Sequence, residues 1–221
     1  MLDRIHWLGH ASFRINGPPH ADGPVIYIDP WNLPDDPPTA DLILVSHDHY
    51  DHCSPADIAL IRSPRTVIIA NPRAAKYLGA DVQVLRPWQS AASLGEVSVR
   101  AVPAYTLTHA RHDRTYEGLG FVISWRRQDI YFAGDTDLVP EMERIRCDVA
   151  LLPVGGVFTM GWEEATQAAR LLMPGVAIPM HYGREIPGSQ DDGRRFCQAV
   201  NSGVQVVELP VENERFRVLH P

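Results

Sequence analysis

With 221 residues, 45% of them hydrophobic, the chain is long enough to bury a sizeable core, and one domain over residues 1–221 is the economical reading. A formal net charge of -7, with Lys76 the only lysine, gives no basic footprint, which argues against nucleic acid or an anionic membrane surface as partners. No apolar run approaches the roughly 20 residues of a membrane span, so stable membrane insertion is not expected. The scattered Cys53, Cys147 and Cys197, without C-x-x-C spacing or a secretory leader, point to a soluble protein of a reducing compartment, the cytoplasm.

Arg4 to Ile15 reads as two short strands broken at Gly9, and Val25 to Ile28 as a third that runs into Asp29-Pro30-Trp31. The proline- and aspartate-rich stretch from Asn32 to Thr39 marks a loop within the same sheet rather than a domain linker. Next comes the apolar run Leu42-Ile43-Leu44-Val45, which delivers Ser46-His47-Asp48-His49-Tyr50-Asp51-His52 to the end of a buried strand. His47 and His49 alternate and so point the same way; the chain must turn for Asp51 and His52 to reach that side. Imidazole and carboxylate donors suit zinc, iron or manganese, and the lack of a nearby cysteine pair argues for a catalytic rather than a closed structural site.

Ser54-Pro55 opens a helix through Ile61, with serine as cap and proline in the first turn. Thr66 to Ala70 is a predicted strand, Pro72 to Leu78 a helix and Val82 to Leu85 a strand. Val97 to Val102 reads as a strand that leads through Pro103-Ala104-Tyr105-Thr106 to a polar stretch with His109 and His112. Leu119 to Trp125 and Asp129 to Phe132 pair around the turn at Arg126 to Gln128. The second of these ends in Ala133-Gly134-Asp135-Thr136, a carboxylate just past a strand end. A helix from Asp137 to Ile145, a strand from Val149 to Val154 and a helix from Trp162 to Leu172 follow. The strand Val176 to Met180 then delivers His181-Tyr182-Gly183. The chain closes with a predicted helix near Gln190 to Val200 and strands at Val204 to Leu209 and Phe216 to Leu219.

The spacing His47-x-His49-x-Asp51-His52 resembles the signature of the metallo-β-lactamase superfamily, and SHDHYDHCSPADI, Ser46 through Ile58, resembles its small stand-alone lactonase-like and phospholipase-D-like branch. Trp7-Leu8-Gly9-His10-Ala11 is similar to the opening of that branch, where the histidine lies near the metals. For His10 a structural role or a hydrogen bond behind the ligands is preferred over direct ligation. The resemblance runs from Trp7 to Tyr182 at least. It implies a four-layer αβ/βα sandwich, with two mixed β-sheets face to face and helices on the outer faces, where pattern alone implies only a layered α/β class.

The same resemblance implies a ligand set. His47, His49 and His112 would hold one metal and Asp51, His52 and His181 the other, with Asp135 bridging; Asp51 and Asp135 are the carboxylates at the reacting centre. His112 is preferred over His109 because it stands where the branch has its histidine relative to Pro103 and Gly120. The sequence departs from that branch at Thr106, where asparagine is common, and at Asp113, where proline is common. Two divalent transition metals, zinc first with manganese or iron as alternatives, would activate a metal-bound hydroxide against an ester, lactone or phosphodiester. Asp48 is read as an orienting group or a solvated one, Tyr182 and Arg184 as candidates to meet developing negative charge, and Cys53 as a small residue packing a tight loop. A redox or non-catalytic metal-binding protein on the same scaffold is the alternative. Against the redox form, His49 stands where diiron oxygen-reducing relatives typically have glutamate. A small-molecule substrate is expected, and a homo-oligomer is left open.

Overall fold

The run Leu42–Val45 shows how the layers arise. Alternate side chains of a strand point to opposite faces, and here Leu42 and Leu44 enter one hydrophobic cluster while Ile43 and Val45 enter a second. All four are fully buried, so this strand lies inside a sheet covered on both sides. The computed structural model describes residues 1–20, 22–107, 112–184, 186, 188–200 and 203–212. His109, His220 and the expected strand Phe216 to Leu219 lie outside them.

The first sheet holds β1 (Ile5–Gly9), β2 (Ser12–Ile15), β3 (Ile26–Ile28), β4 (Leu42–Val45), β5 (Val67–Ala70) and β6 (Val82–Val84), in chain order across the sheet. β1, β2 and β3 are antiparallel neighbours; β3 to β6 run parallel. The second sheet holds β7 (Ser90–Leu94), β8 (Val97–Pro103), β9 (Leu119–Trp125), β10 (Gln128–Phe132), β11 (Val149–Pro153), β12 (Val176–Met180) and β13 (Gln205–Val206), again in sequence order from one edge to the other. Its antiparallel half is β7 to β10 and its parallel half β10 to β13. Both sheets are therefore mixed.

Their facing sides share one core. Phe13, Ile15, Ile28 and Leu44 from the first sheet join Val99, Phe121, Ile123 and Phe132 from the second. On the outer side of the first sheet, Ile58 and Ile61 of α1 (Pro55–Ile61) and Leu78 of α2 (Ala75–Leu78) cover Ile43, Val45 and Ile68. Ala165, Ala168, Ala169 and Leu172, the predicted apolar face of α3 (Trp162–Leu172), pack on the other side, and Phe196 of α4 (Asp192–Ala199) is buried with them. The order of layers is thus helix, sheet, sheet, helix, the expected four-layer sandwich. Among the described residues no helix is long and apolar enough to cross a membrane.

Local chemistry sets several boundaries. Ser54 caps α1 by accepting from the Asp57 N–H, with Pro55 in the first turn as expected. The β9–β10 hairpin turns on Arg126 and Arg127, both left-handed at φ 52° and 64°, a conformation usually given to Asn-Gly. Arg126 is held there by its guanidinium, 4.9 Å from the Trp125 ring centroid and 2.7 Å from Asp22 Oδ2.

Some expectations need correction. The helix from Asp137 to Ile145 is only a 3-10 turn over Pro140–Arg144, because Pro140 lacks an N–H and the turn closes by i to i−3 bonds at Met142 and Ile145. The strand from Val204 to Leu209 shrinks to β13, paired with β12 at two positions on the sheet edge. The helix from Pro72 begins at Ala75, after Asn71 Oδ1 accepts from the Ala74 N–H at 2.8 Å. β7 was not predicted: Ser90-Ala91-Ala92-Ser93-Leu94 has small residues without the β-branched signal, and only pairing with β8 makes it a strand.

Candidate metal centre

Each sheet delivers polar residues to one rim through its strand ends. His10 follows β1, Asp29 follows β3, His47 to His52 follow β4, Asp135 follows β10 and His181 follows β12, while His112 comes from the loop after β8. The turn expected after His49 is present: the N–H groups of His52 and Cys53 both donate to the His49 carbonyl, at 3.1 and 2.8 Å. That reversal leaves Tyr50 in solvent and buries His52 completely.

Two histidine clusters result. One nitrogen from each of His47, His49 and His112 lies within 4.8 Å of the others, and the same holds for His10, His52 and His181. Asp135 sits between them, its Oδ2 3.9 Å from His47 Nε2, 3.4 Å from His52 Nε2 and 3.3 Å from His181 Nε2. Asp51 Oδ2 stands 3.3 Å from His10 Nε2. The structure thus brings His47, His49, Asp51, His52, His112, Asp135 and His181 together at one place.

Outer contacts aim the rings. Ser46 Oγ lies 2.9 Å from His47 Nδ1, and Asp29 Oδ2 lies 2.7 Å from His52 Nδ1. Asp29, wholly buried, also accepts from the Ser46 N–H and hydroxyl. Tying Nδ1 outward in this way turns each Nε2 inward as a free donor, the usual support of a metal-bound histidine.

The donor set fits a cation. His47 Nε2, His52 Nε2 and Asp135 Oδ1 are buried without a hydrogen-bond partner, an arrangement that costs free energy unless another group satisfies them. Burial and the adjacent His52 hold His47 well below the usual imidazole range, and burial brings His112 down to about 4, so both rings are neutral, as ligation requires. Burial also disfavours charge on His52, but Asp135 and Asp29 on its two sides overcome this and push it well above its ordinary value. Burial would raise Asp135, yet His181 and His52 hold it well below the carboxylate range. Asp51 reaches about 2: burial works upward, and His10 and His52 outweigh it. An ionised carboxylate buried as deeply as Asp135 calls for positive charge beside it.

Other expectations are refined. Asp48 accepts a short hydrogen bond from Tyr116 Oη, and Tyr116 stacks on His112 with ring centroids 5.2 Å apart. Asp48 therefore steadies His112 through Tyr116. Tyr182 does not face the site, since its hydroxyl donates to Glu208 at 2.7 Å and its ring stacks on Trp7. Arg184 is exposed. Cys53 is buried, which pushes its thiol up to about 12, so it is a packed thiol rather than a nucleophile.

Asp29 and Tyr116 were missed in the sequence. Asp29 carried the signal used for Asp135, a carboxylate just past the apolar strand Ile26-Tyr27-Ile28. Asp29→Asn is expected to lower metal affinity by about 10- to 100-fold, measured by competition against a chromophoric chelator, with the melting temperature as the check on folding. Unchanged affinity would show that the Asp29 contact does not support metal binding at His52.

Comparison with known proteins agrees with this geometry. The model of the β-lactamase superfamily domain matches residues 4–181. A UPF0173 metal-dependent hydrolase of Pyrococcus furiosus is 35% identical over 226 residues, covering 93% of this chain and 96% of that protein. One from Thermoplasma acidophilum is 35% identical over 233 residues, with 95% and 98% covered. Among solved structures, a candidate metal-dependent hydrolase from Parabacteroides distasonis superposes with a TM-score of 0.82 at 32% identity, over 93% of each chain. The diiron β-hydroxylase CmlA of Streptomyces venezuelae shares the fold, with a TM-score of 0.75 at 15% identity over 94% of this chain and 52% of that one. The match along residues 4–181, on a sandwich whose strand ends gather histidines and aspartates, places this chain in the metallo-β-lactamase superfamily, among its metal-dependent hydrolases.

Proposed function

We propose that the chain is a single hydrolase domain over residues 1–221 that uses a binuclear metal centre to cleave an ester, lactone or phosphodiester of a small molecule. The observation that carries this reading is the place of Asp135, whose Oδ2 lies within 3.9 Å of ring nitrogens from both histidine clusters. His47, His49 and His112 would hold one ion, Asp51, His52 and His181 the other, and Asp135 would join them. Five imidazoles and two carboxylates without a thiolate suit zinc, with manganese or iron as alternatives. When bound, such ions lower the pKa of a coordinated water toward about 7 and polarise the oxygen under attack. The protein's own part is to aim the rings, through Ser46, Asp29 and Tyr116, and to supply the negative charge of Asp51 and Asp135. The three free cysteines support a reducing, cytoplasmic setting.

Elemental analysis and a hydrolysis panel spanning carboxylic esters, lactones and phosphodiesters test this together. The parent should carry up to two transition-metal ions per chain and turn over at least one class, while the double variant His47→Ala, His49→Ala should lose metal and turnover. A double variant that kept both would overturn the assignment. Single turnover in oxygen-18 water should label the product in the first cycle, and Cys53→Ala should leave the rate near that of the parent. An adduct trapped on Cys53 would contradict direct attack by water.

A further inference from the structure

We propose that His10 is itself a metal donor, joining Asp51, His52 and His181 around the second ion; this rests on the binuclear reading above. His10 is 3% exposed and stands in the β1–β2 turn with a left-handed backbone, φ 52°. Such a conformation is uncommon for a residue other than glycine, and here it is held from the other sheet. The His10 carbonyl accepts from the His181 N–H at 3.0 Å and from Trp7 Nε1 at 2.9 Å. The turn and the end of β12 are thereby clasped, and the His10 and His181 rings lie with centroids 4.1 Å apart.

Neither ring nitrogen of His10 has a hydrogen-bond partner. Leaving a buried polar group unpaired is costly, so simple packing is a poor account of an imidazole at this spot. A supporting hydrogen bond to Asp51 is the other ordinary role. The known supports in this site look different: His47 and His52 meet theirs at 2.9 and 2.7 Å in hydrogen-bonding geometry. His10 Nε2 and Asp51 Oδ2 are 3.3 Å apart without it. Two donors on one ion, each bonded at about 2.1 Å near the tetrahedral angle, stand roughly 3.4 Å apart. The pairs Asp135–His52 and Asp135–His181, at 3.4 and 3.3 Å, have that same separation.

The donors then divide unequally. His10, His52 and His181 are all buried, whereas His49 of the other cluster is half-exposed. The second ion becomes the enclosed, more fully surrounded one. The first, with three histidines and a face toward solvent, is the one that a substrate reaches, since a catalytic ion needs an open position.

Cadmium-113 substitution tests this without relying on activity. The metal-free chain is reloaded with cadmium-113, and proton–cadmium correlations, which pass only through metal–ligand bonds, are recorded on the unaltered sequence. His10→Asn, chosen because asparagine tolerates the left-handed turn, assigns the His10 ring protons. The expected result is a correlation from His10 to the same cadmium resonance as His52 and His181, lost in the variant while the other cadmium resonance keeps its position. Correlations from His52 and His181 with none from His10 would overturn the inference. Correlations from no histidine of either cluster would overturn the binuclear reading, and this inference with it.

Discussion

Asp135→Asn is expected to lower hydrolytic turnover by about 10³-fold while the fold persists. Asp135 is 6% exposed, and its Oδ2 is the atom shared by His47, His52 and His181. Asparagine keeps the size but removes the negative charge, and an N–H₂ turned toward the centre has no lone pair to give an ion. Charge stabilisation of this kind contributes several kcal/mol to a transition state, and ~4 kcal/mol corresponds to about three orders of magnitude in rate. Elemental analysis alongside kcat separates the two ways of failing, loss of an ion or retention of both at altered spacing. Thermal melting shows that the loss is not unfolding. Turnover within a few-fold of the parent, with both ions present, would remove Asp135 from the centre.

The largest effect on stability is expected from Phe132→Ala, which should destabilise the protein by about 3–5 kcal/mol. Phe132 is the last residue of β10, fully buried, and its ring meets Phe13 of β2 edge to face across the two sheets at 6.4 Å. Removing it opens a cavity between layers whose strands, held by their own ladders, can close only partly. For a chain of this size the loss amounts to a fall of roughly 6–20 °C in melting temperature. Calorimetry on Phe132→Ala beside Leu171→Ala, at an exposed position of α3, gives the contrast. Near-parent stability for the first would mean that the inter-sheet core repacks freely. Because Asp135 lies three residues beyond Phe132, this variant should also weaken metal binding, linking the core to the site.

Much of the site could be read in advance because its signals are local. His47, His49 and His52 are spaced at one strand end, and Asp135 and His181 each follow an apolar run, so periodicity places them at strand ends, and the family resemblance implies that those ends meet at one site. Only the family resemblance favoured His112, whose place beside His47 and His49 no strand end or nearness in the chain fixes. The expected helix from Asp137 to Ile145 shortens to Pro140–Arg144 because no helix runs through Pro140, which has no N–H to donate; it can only begin one. β7 was invisible for the opposite reason: its residues have no strong preference, and its neighbour decides its structure.

Most elements and their order, the two-faced strand Leu42–Val45, and the donors that stand together in the chain or at a strand end are legible in the residues. These follow from hydrophobic period and residue chemistry, which act over a few positions. Which atoms of those donors face inward depends on the assembled sheets. Asp29 becomes the anchor of His52 across 23 residues, Asp48 backs His112 through Tyr116, and His10 turns its unpaired ring toward His181 of the other sheet. Each of these depends on the packing of one sheet on the other and on hydrogen bonds between segments far apart in the chain, and no local pattern in the residues encodes the orientation of a ring that its distant neighbours hold.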